Sequence, residues 1–164
     1  MKEIKLTVDG KEVQLTEEQL KLLGFGVRQN PFNRVVTGDV YYNINDYGEV
    51  VSLIENTDYT DQYLYDQVNY FNDEALAQQV ALHQLLYRKL LKYAYDNDTE
   101  GALEWDTKNV HYGIFYDCFH QKFSLEFAKN YKSSGVYFSS KEVAERALTD
   151  VVEPFIKEHP YFVW

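Results

Sequence analysis

Apolar and polar residues alternate along several short segments of the chain, and this alternation is typical of half-buried β-strands. The first such segment, residues 4–15, is divided by Asp9-Gly10, a dipeptide that suits a two-residue hairpin turn. Asp46-Tyr47-Gly48 is predicted to form a second hairpin turn, and residues 117–120 a third. The strands predicted after the first hairpin occupy residues 35–44, 50–54, 63–68, 110–116 and 123–127.

Helical spacing of apolar residues predicts a long helix over about residues 73–95. Asn72 is the expected N-cap, and the carboxylates of Asp73 and Glu74 in the first turn complement the helix dipole. We therefore assign these two carboxylates to capping and not to a functional site. A short helix is also predicted near the start of the chain, where Thr16-Glu17-Glu18-Gln19 fits a capping box.

A second long helix, with Ser139 as its N-cap, is predicted to extend to about residue 157. Glu142 follows Ser139 by three residues, so the two side chains fit a capping box. Pro154 is expected to kink or shorten this helix, because proline lacks a backbone donor and its ring clashes with the preceding turn. Hairpins followed by helices predict an α+β fold, with antiparallel strands and the two long helices packed on one face.

Parts of the sequence match at regular spacings. Residues 70–77 match residues 137–144, and residues 42–44 match residues 112–114. These matches predict an internal duplication of a hairpin-helix unit. The alternative is a generic strand-to-helix junction, in which an aromatic pair packs ahead of the N-cap. We therefore divide the chain into an N-terminal hairpin and short helix, residues 1–30, and an α+β domain, residues 31–164, with halves at about 31–98 and 105–164.

The composition is that of a folded chain with its own core. Of 164 residues, 45% are hydrophobic and 16% aromatic, which excludes a disordered acidic tail. The apolar runs are too short to span a membrane, and the first residues lack a hydrophobic signal region. The single cysteine, Cys118, cannot form an intramolecular disulfide. Together these features favour the cytoplasm.

Negative charge is concentrated between Arg34 and Arg88, where the sequence contains no lysine or arginine. The formal net charge of the whole chain is -10. The nine carboxylates of this stretch are Asp39, Asp46, Glu49, Glu55, Asp58, Asp61, Asp66, Asp73 and Glu74. The stretch is also rich in tyrosine. Such a surface suits a positively charged partner and disfavours direct binding of nucleic acid or of an anionic membrane.

We predict that part of this stretch forms an exposed face that binds a basic protein surface. Its residues are Asp46, Glu49, Glu55, Asp58, Asp61, Tyr59 and Tyr63. Their spacing around one hairpin and the following segment is expected to bring them together. No basic side chain within the stretch is available to neutralise them internally. Tyrosine adds rigid contact area and a hydroxyl group at low entropic cost.

Residues capable of catalytic or metal chemistry lack the spacing that such sites need. His111, Cys118 and His120 fall around one predicted hairpin, but no fourth zinc ligand accompanies them. His83 is interpreted as a hydrogen-bonded core residue. A magnesium-dependent nuclease site collects carboxylates but also needs basic residues to hold phosphate, and the acidic stretch has none. We expect no catalytic residue, no cofactor and no metal site.

Several residues stand at characteristic spacings between Phe32 and Leu90. They are Phe32, Arg34, Val35, Gly38, Tyr41, Tyr42, Ile44, Gly48, Glu49 and Val50, followed by Asn69-Tyr70-Phe71 and by Leu86-x-Arg88-Lys89-Leu90. This pattern resembles a module common in small proteins of phages and prophages of Gram-positive bacteria. The resemblance implies a phage origin and, because accessory phage proteins are often counter-defence factors, an anti-CRISPR role. It brings no catalytic residue with it.

Two functions follow from the resemblance and the charge. The first is a phage-encoded acidic protein that inhibits a host defence nuclease by occupying a basic nucleic-acid-binding surface, most plausibly on a Cas9-type protein. The alternative is an accessory phage DNA-metabolism or regulatory protein, including a small metal-dependent enzyme. A broad exposed row of carboxylates favours the binding protein, whereas a convergent cluster in a cleft favours metal chemistry.

Overall fold

Antiparallel strands and helices combine in the computed structural model, which describes residues 6–8, 11–13, 15–16, 19, 30–98 and 104–164. The strands are β1 (Leu6–Val8), β2 (Lys11–Val13), β3 (Val40–Ile44), β4 (Val50–Ile54), β5 (His111–Asp117), β6 (Lys122–Ala128) and β7 (Tyr137–Phe138). The helices are α1 (Tyr59–Asp66), α2 (Glu74–Asn97), α3 (Lys141–Ala147) and α4 (Glu153–Glu158). The predicted α+β class is confirmed, but only α2 is long, because the second predicted long helix is divided into α3 and α4. Among these helices, none is both long and apolar enough to cross a bilayer.

The N-terminal hairpin is present as the antiparallel pair β1–β2, with Leu6 opposite Val13. Its predicted Asp9-Gly10 turn lies outside the described residues. Thr16 and Gln19 exchange the two hydrogen bonds of a capping box, from the Thr16 N–H to Gln19 Oε1 at 3.0 Å and from the Gln19 N–H to Thr16 Oγ1 at 3.3 Å. The remainder of that short helix also lies outside the described residues, and the domain division at residue 30 stays a prediction.

Strand β3 is the centre of the first half of the chain. It pairs with β4 on one side, and on the other side Tyr42 exchanges two backbone hydrogen bonds of 2.8 Å with Phe71. The strand begins at Val40, later than the predicted residue 35, because the preceding segment turns, with an Asp39 N–H to Val36 carbonyl bond of 2.9 Å. The predicted turn between β3 and β4 is confirmed, and Gly48 adopts a φ of +84° there, which glycine tolerates best.

The strand predicted at residues 63–68 is wrong, because this segment lies largely within helix α1. The side chain of Asp58 accepts a hydrogen bond from the Asp61 N–H at 3.1 Å, and the side chain of Asp61 accepts one from the Asp58 N–H at 3.2 Å. Two aspartates therefore form a reciprocal capping box. The tyrosines that suggested a strand pack as helical residues, and the ring of Tyr65 meets Tyr70 edge-on at 5.5 Å.

Helix α2 begins at Glu74, one residue later than predicted. The N-cap is Asp73, whose side chain accepts a hydrogen bond from the Leu76 N–H at 3.0 Å. Asn72 is not the N-cap because its amide is used elsewhere. It donates to the carbonyl oxygens of Asn30 and Asn33 at 3.1 and 2.9 Å, and so fastens the incoming chain to the start of α2.

Helix α3 likewise begins one residue later than predicted. Ser140 is its N-cap and accepts a hydrogen bond from the Val143 N–H at 3.3 Å. The predicted cap, Ser139, instead binds Asp98 through both its backbone N–H and its hydroxyl group. Glu142 therefore does not complete a capping box, because the third residue after Ser140 is Val143.

Pro154 neither ends the last helix nor interrupts it. A π-helical segment, Leu148–Val152, joins α3 to α4, and the Glu153 N–H bonds to the carbonyl of Leu148, five residues earlier. This wide turn accommodates the ring of Pro154, which in a regular α-helix would clash with the carbonyl four residues before it. The helical run therefore reaches Glu158.

The hydrophobic core is shared by α2 and the second half of the chain. Helix α2 contacts β3 and β4 as well as α3, and α3 contacts all three strands of the sheet β6–β5–β7. The buried core residues are Leu86, Leu90, Ala94, Phe138, Val143, Ala144, Ala147, Val152 and Phe155. The packing of both halves thus depends on one long helix, α2.

The matched positions of the two halves make matching contacts. Tyr42 pairs with Phe71, and Tyr112 pairs with Phe138, in each case antiparallel. Both phenylalanines are buried. Helix α1, however, has no counterpart between β6 and β7. An internal duplication is not confirmed and stays a prediction.

We predict that Asp73→Ala lowers the free energy of unfolding by about 1 kcal/mol, because the first turn of α2 loses its side-chain acceptor. Urea denaturation at neutral pH measures this change. The control is Gln78→Ala, an exposed position within the same helix. If the two variants lose equal stability, Asp73 does not act as the cap.

Candidate functional site

Two of the seven residues predicted to form the binding face are buried. Glu55 is 1% exposed and Asp61 is 3% exposed. The prediction that they lie on an exposed face is therefore wrong. Buried carboxylates need close partners, because an unpaired charge in the interior is costly. The partners of these two residues explain their position.

Glu55 forms a bidentate ion pair with Arg34. Arg34 Nε and Nη2 donate to the two carboxylate oxygens at 3.0 and 2.9 Å, the Tyr70 hydroxyl donates at 2.7 Å, and the Thr57 N–H donates at 2.8 Å. The Arg34 guanidinium, followed by these other donors, holds the pKa of Glu55 below its ordinary value although burial opposes ionisation. Arg34 lies just outside the acidic stretch, so Glu55 is neutralised by a cation that the stretch itself does not contain.

Asp61 is held by hydrogen bonds, and no described lysine or arginine lies within ion-pair distance of it. It accepts from the Tyr41 hydroxyl at 2.7 Å and from the backbone N–H groups of Asn56 and Asp58 at 2.7 and 3.2 Å. Burial disfavours its charge, but these donors outweigh burial, and the pKa of Asp61 lies below its ordinary value. Asp61 therefore stays ionised inside the fold and anchors the start of α1.

Two stacked tyrosines join the carboxylates into one network. The rings of Tyr41 and Tyr70 lie 3.9 Å apart at an interplanar angle of 12°. Burial and the hydrogen bond to Glu55 raise the pKa of Tyr70 to about 12, and burial and Asp61 raise the pKa of Tyr41 as well. Both hydroxyls therefore remain protonated donors near neutral pH. We call Arg34, Tyr41, Glu55, Asp61 and Tyr70 the buried network.

The other five predicted residues are exposed, but they do not form one cluster. Asp46 and Glu49 lie in the turn before β4, whereas Asp58, Tyr59 and Tyr63 follow the end of β4. The five residues of β4 lie between the two groups and span about 17 Å at the usual rise of a strand. Strand β4 therefore holds apart residues whose spacing in the sequence predicted that they would meet.

Helix α1 extends from one of these groups toward the other. Tyr59, Tyr63 and Asp66 follow the i, i+4, i+7 spacing of one helical face, and all three are exposed. The residues after α1, Gln67–Asn69, line the same cleft of about 660 Å³ as the turn residues Asn45–Gly48. We define the acidic surface as seven exposed residues of the β3–β4 turn, of the N-cap of α1 and of one face of α1: Asp46, Tyr47, Glu49, Asp58, Tyr59, Tyr63 and Asp66.

One cation reaches the edge of the acidic surface. Arg88 of α2 lines the cleft beside the turn, and a β-carbon added at Gly48 would lie 3.2 Å from its guanidinium. Among the described carboxylates, none lies within ion-pair distance of Arg88. Sequence reasoning missed this contact because forty residues separate the two positions.

The histidines and the cysteine do not assemble into a site. His111 is buried and stacks on Trp105 at 4.2 Å, while Cys118 is exposed and His120 bonds to Asp117 at 2.6 Å. The interpretation of His83 as a core residue is wrong, because its side chain is exposed. Over the part of the chain that the structure describes, no three His, Cys, Asp or Glu residues are grouped to hold a metal ion.

Comparison with protein-family models, with curated proteins and with solved structures finds no match to the chain. Function is therefore argued from the geometry and charge of the chain itself. Two features carry that argument: the buried network, which supports the fold, and the acidic surface, which faces solvent.

We predict that Tyr41→Phe lowers the free energy of unfolding by about 2 kcal/mol, because the buried Asp61 carboxylate loses a hydroxyl donor. The matched control is Tyr63→Phe, which removes a hydroxyl from a side chain that is 53% exposed. Urea denaturation of both variants measures the difference. Equal losses would show that the Tyr41–Asp61 bond contributes no special stability.

A second prediction concerns pH. The folded pKa of Glu55 is depressed below its ordinary value of 4.5, so its contribution to stability is complete above that value. The contribution is lost as the pH falls through the lower, folded pKa. Glu55→Gln should therefore make the free energy of unfolding less dependent on pH in the acidic range. The control is Glu49→Gln at the exposed turn, and an unchanged pH profile in the Glu55 variant would contradict the assignment.

Proposed function

We propose that this protein is a non-enzymatic binding protein whose acidic surface occupies a basic surface on another protein. One observation carries the proposal. Of the nine carboxylates between Arg34 and Arg88, Glu55 and Asp61 are buried and the other seven are exposed. No lysine or arginine occurs between those two arginines. The outward charge is therefore not compensated within its own stretch of sequence.

The charge of the acidic surface suits a protein partner with clustered lysine or arginine. Repulsion among exposed carboxylates is relieved when cations of a partner approach, which accelerates association and selects basic partners. The exposed tyrosines supply contact area, since Tyr47 is 89% exposed, Tyr59 83% and Tyr63 53%. Tyrosine is among the residues that most often dominate binding energy at interfaces. Direct binding of nucleic acid is disfavoured by the same charge.

The particular partner proposed is a host defence nuclease, most plausibly of the Cas9 type. Such nucleases hold nucleic acid in positively charged channels, which an acidic protein can occupy. The resemblance of residues 32–90 to small phage and prophage proteins supports a phage origin and an anti-CRISPR role. The proposal includes action in the cytoplasm of the bacterial host.

The alternative is an accessory phage DNA-metabolism or regulatory protein, and its metal-dependent enzyme form has less support. The two carboxylates that turn inward, Glu55 and Asp61, are occupied by Arg34 and by tyrosine hydroxyl and backbone donors. The remaining carboxylates of the stretch face solvent. An outward row of charges favours partner binding over metal chemistry, which needs converging ligands.

The test uses exposed carboxylates, because reversing the charge of Glu55 or Asp61 would disrupt the buried network. We predict that the triple variant Asp46→Lys, Glu49→Lys, Asp66→Lys weakens binding to a Cas9-type nuclease loaded with guide RNA by about a hundredfold. Biolayer interferometry measures the affinity, and a DNA cleavage assay measures inhibition. Wild-type affinity should also fall between about 0.05 and 0.5 M salt because of screening.

The matched control is Glu104→Lys, Glu145→Lys, Glu158→Lys, which changes the net charge equally at exposed positions outside the acidic surface. Circular dichroism and thermal unfolding establish that each variant is folded. If both triple variants bind equally well, the acidic surface is not the binding site. If the wild-type protein neither binds nor inhibits the nuclease, the anti-CRISPR proposal fails.

A further inference from the structure

A second cleft, of about 590 Å³, lies between α2 and the three-stranded sheet. Gln84, Tyr87 and Arg88 line it from α2, and Gly113 and Ile114 line it from β5. The segment 133–137, which leads into β7, closes another side. The volume falls within the range of about 300–1,000 Å³ that is usual for ligand-binding sites. The cleft shares Gln84 and Arg88 with the cleft beside the acidic surface but extends toward the second half of the chain.

An open strand edge borders this cleft. Strand β5 pairs with β6 along its whole length, from His111 to Asp117. On its other side it pairs with β7 only at Tyr112 and Gly113. From Ile114 onward, no described strand pairs with that side of β5. Alternate residues of an antiparallel strand direct their N–H and C=O groups to opposite sides, so this edge presents backbone donors and acceptors without a strand partner.

The first half of the chain closes the corresponding edge with a side chain. Beyond the Tyr42–Phe71 pair, the Ile44 N–H donates to Asn69 Oδ1 at 2.9 Å, and Asn69 Nδ2 donates to the Ile44 carbonyl at 2.8 Å. The amide of Asn69 thus takes the place of a pairing strand.

In the second half, the residue that stands two positions before Phe138 is Val136, as Asn69 stands two positions before Phe71. A valine side chain neither donates nor accepts a hydrogen bond, so it cannot close the edge beside Ile114 as Asn69 does beside Ile44. The two halves therefore also differ at this strand edge, because Asn69 hydrogen-bonds the edge at Ile44 and no described strand pairs with the edge at Ile114.

We propose that this cleft binds an extended peptide segment of another protein, which adds a strand to the β5 edge at Ile114 and places an acidic side chain against Arg88. The open edge favours an extended peptide, because a peptide backbone supplies alternating donors and acceptors at the spacing of a strand. Arg88 supplies the charge preference, since no described carboxylate pairs with it. Leu86, Leu90 and Val136 give the peptide an apolar surface on which to pack.

This site differs in preference from the acidic surface and does not rest on it. The acidic surface selects cations, whereas Arg88 selects a carboxylate. Glu126 also lines the cleft, but it lies on β6 opposite Gly113, so we place the acidic side chain of the peptide at the α2 wall. The two sites therefore predict different responses to charge substitutions.

The experiment selects binders from a random 12-residue peptide library displayed on phage, against the immobilised full chain. Enriched sequences are synthesised with a fluorescent label, and their affinities are measured by fluorescence polarisation. We expect enriched peptides to share an acidic residue and to bind Arg88→Glu about tenfold more weakly than wild type, the change that about 1.4 kcal/mol produces. Lys89→Glu, at an exposed neighbouring position outside this cleft, is the charge-matched control and should bind normally.

A backbone test separates strand addition from side-chain binding alone. Each selected peptide is N-methylated at alternate residues in two series. The series that blocks the edge facing β5 should lose binding, while the other series retains it, and the amide signals of Ile114 and Phe115 should shift on binding. Absence of enriched peptides, equal binding to wild type and Arg88→Glu, or equal binding of both N-methylated series would each overturn the proposal. If the cleft accepts only small molecules, no peptides will be enriched.

Discussion

Glu55 and Asp61 must remain hydrogen-bonded inside the fold, and this requirement determines how the first half of the chain is assembled. Each carboxylate collects donors from segments distant in sequence, namely Arg34, Tyr70 and Tyr41. Leaving any buried charge without its partner costs far more than an exposed pair contributes. The entry segment, the β3–β4 hairpin, α1 and the chain before α2 are therefore fixed relative to one another. Only this arrangement of the four segments satisfies both carboxylates, because the hydrogen-bond donors in the buried network are few and directional.

The same composition thus serves two purposes. Two carboxylates of the acidic stretch face inward and organise the fold, whereas the exposed carboxylates of the acidic surface, Asp46, Glu49, Asp58 and Asp66, remain available to a partner. The tyrosines divide in the same way. Tyr41 and Tyr70 are fully buried donors, whereas Tyr47 and Tyr59 are almost fully exposed. A count of charges along the sequence measures the sum of these two populations. The electrostatic attraction of the acidic surface for a basic partner depends only on the exposed population.

Features determined by neighbouring residues were predicted well from the sequence. The β3–β4 hairpin follows from local alternation and a glycine turn, and α2 was predicted to within two residues at its C-terminal end. Features that depend on distant partners were not predicted. Arg34 and Glu55 are 21 residues apart, and Tyr41 and Asp61 are 20 apart, so no local pattern indicates that they meet. Helix α1 was missed because its capping box uses two aspartates and because its tyrosines favour strands in isolation.

The π-helical segment before Pro154 has a consequence for how this helix can change over evolutionary time. The buried residues Ala147 and Val152 are five positions apart, where a regular helix would repeat its buried face after three or four. The segment therefore contains one residue more than the same rotation of an α-helix requires. If that residue alone were deleted, the segment would become a regular α-helical turn, in which the ring of Pro154 clashes with the preceding carbonyl. If the proline alone were replaced, the wide π-helical turn would remain although no proline ring required it. The extra residue and the proline form a matched pair, which lineages of this protein should keep together or lose together.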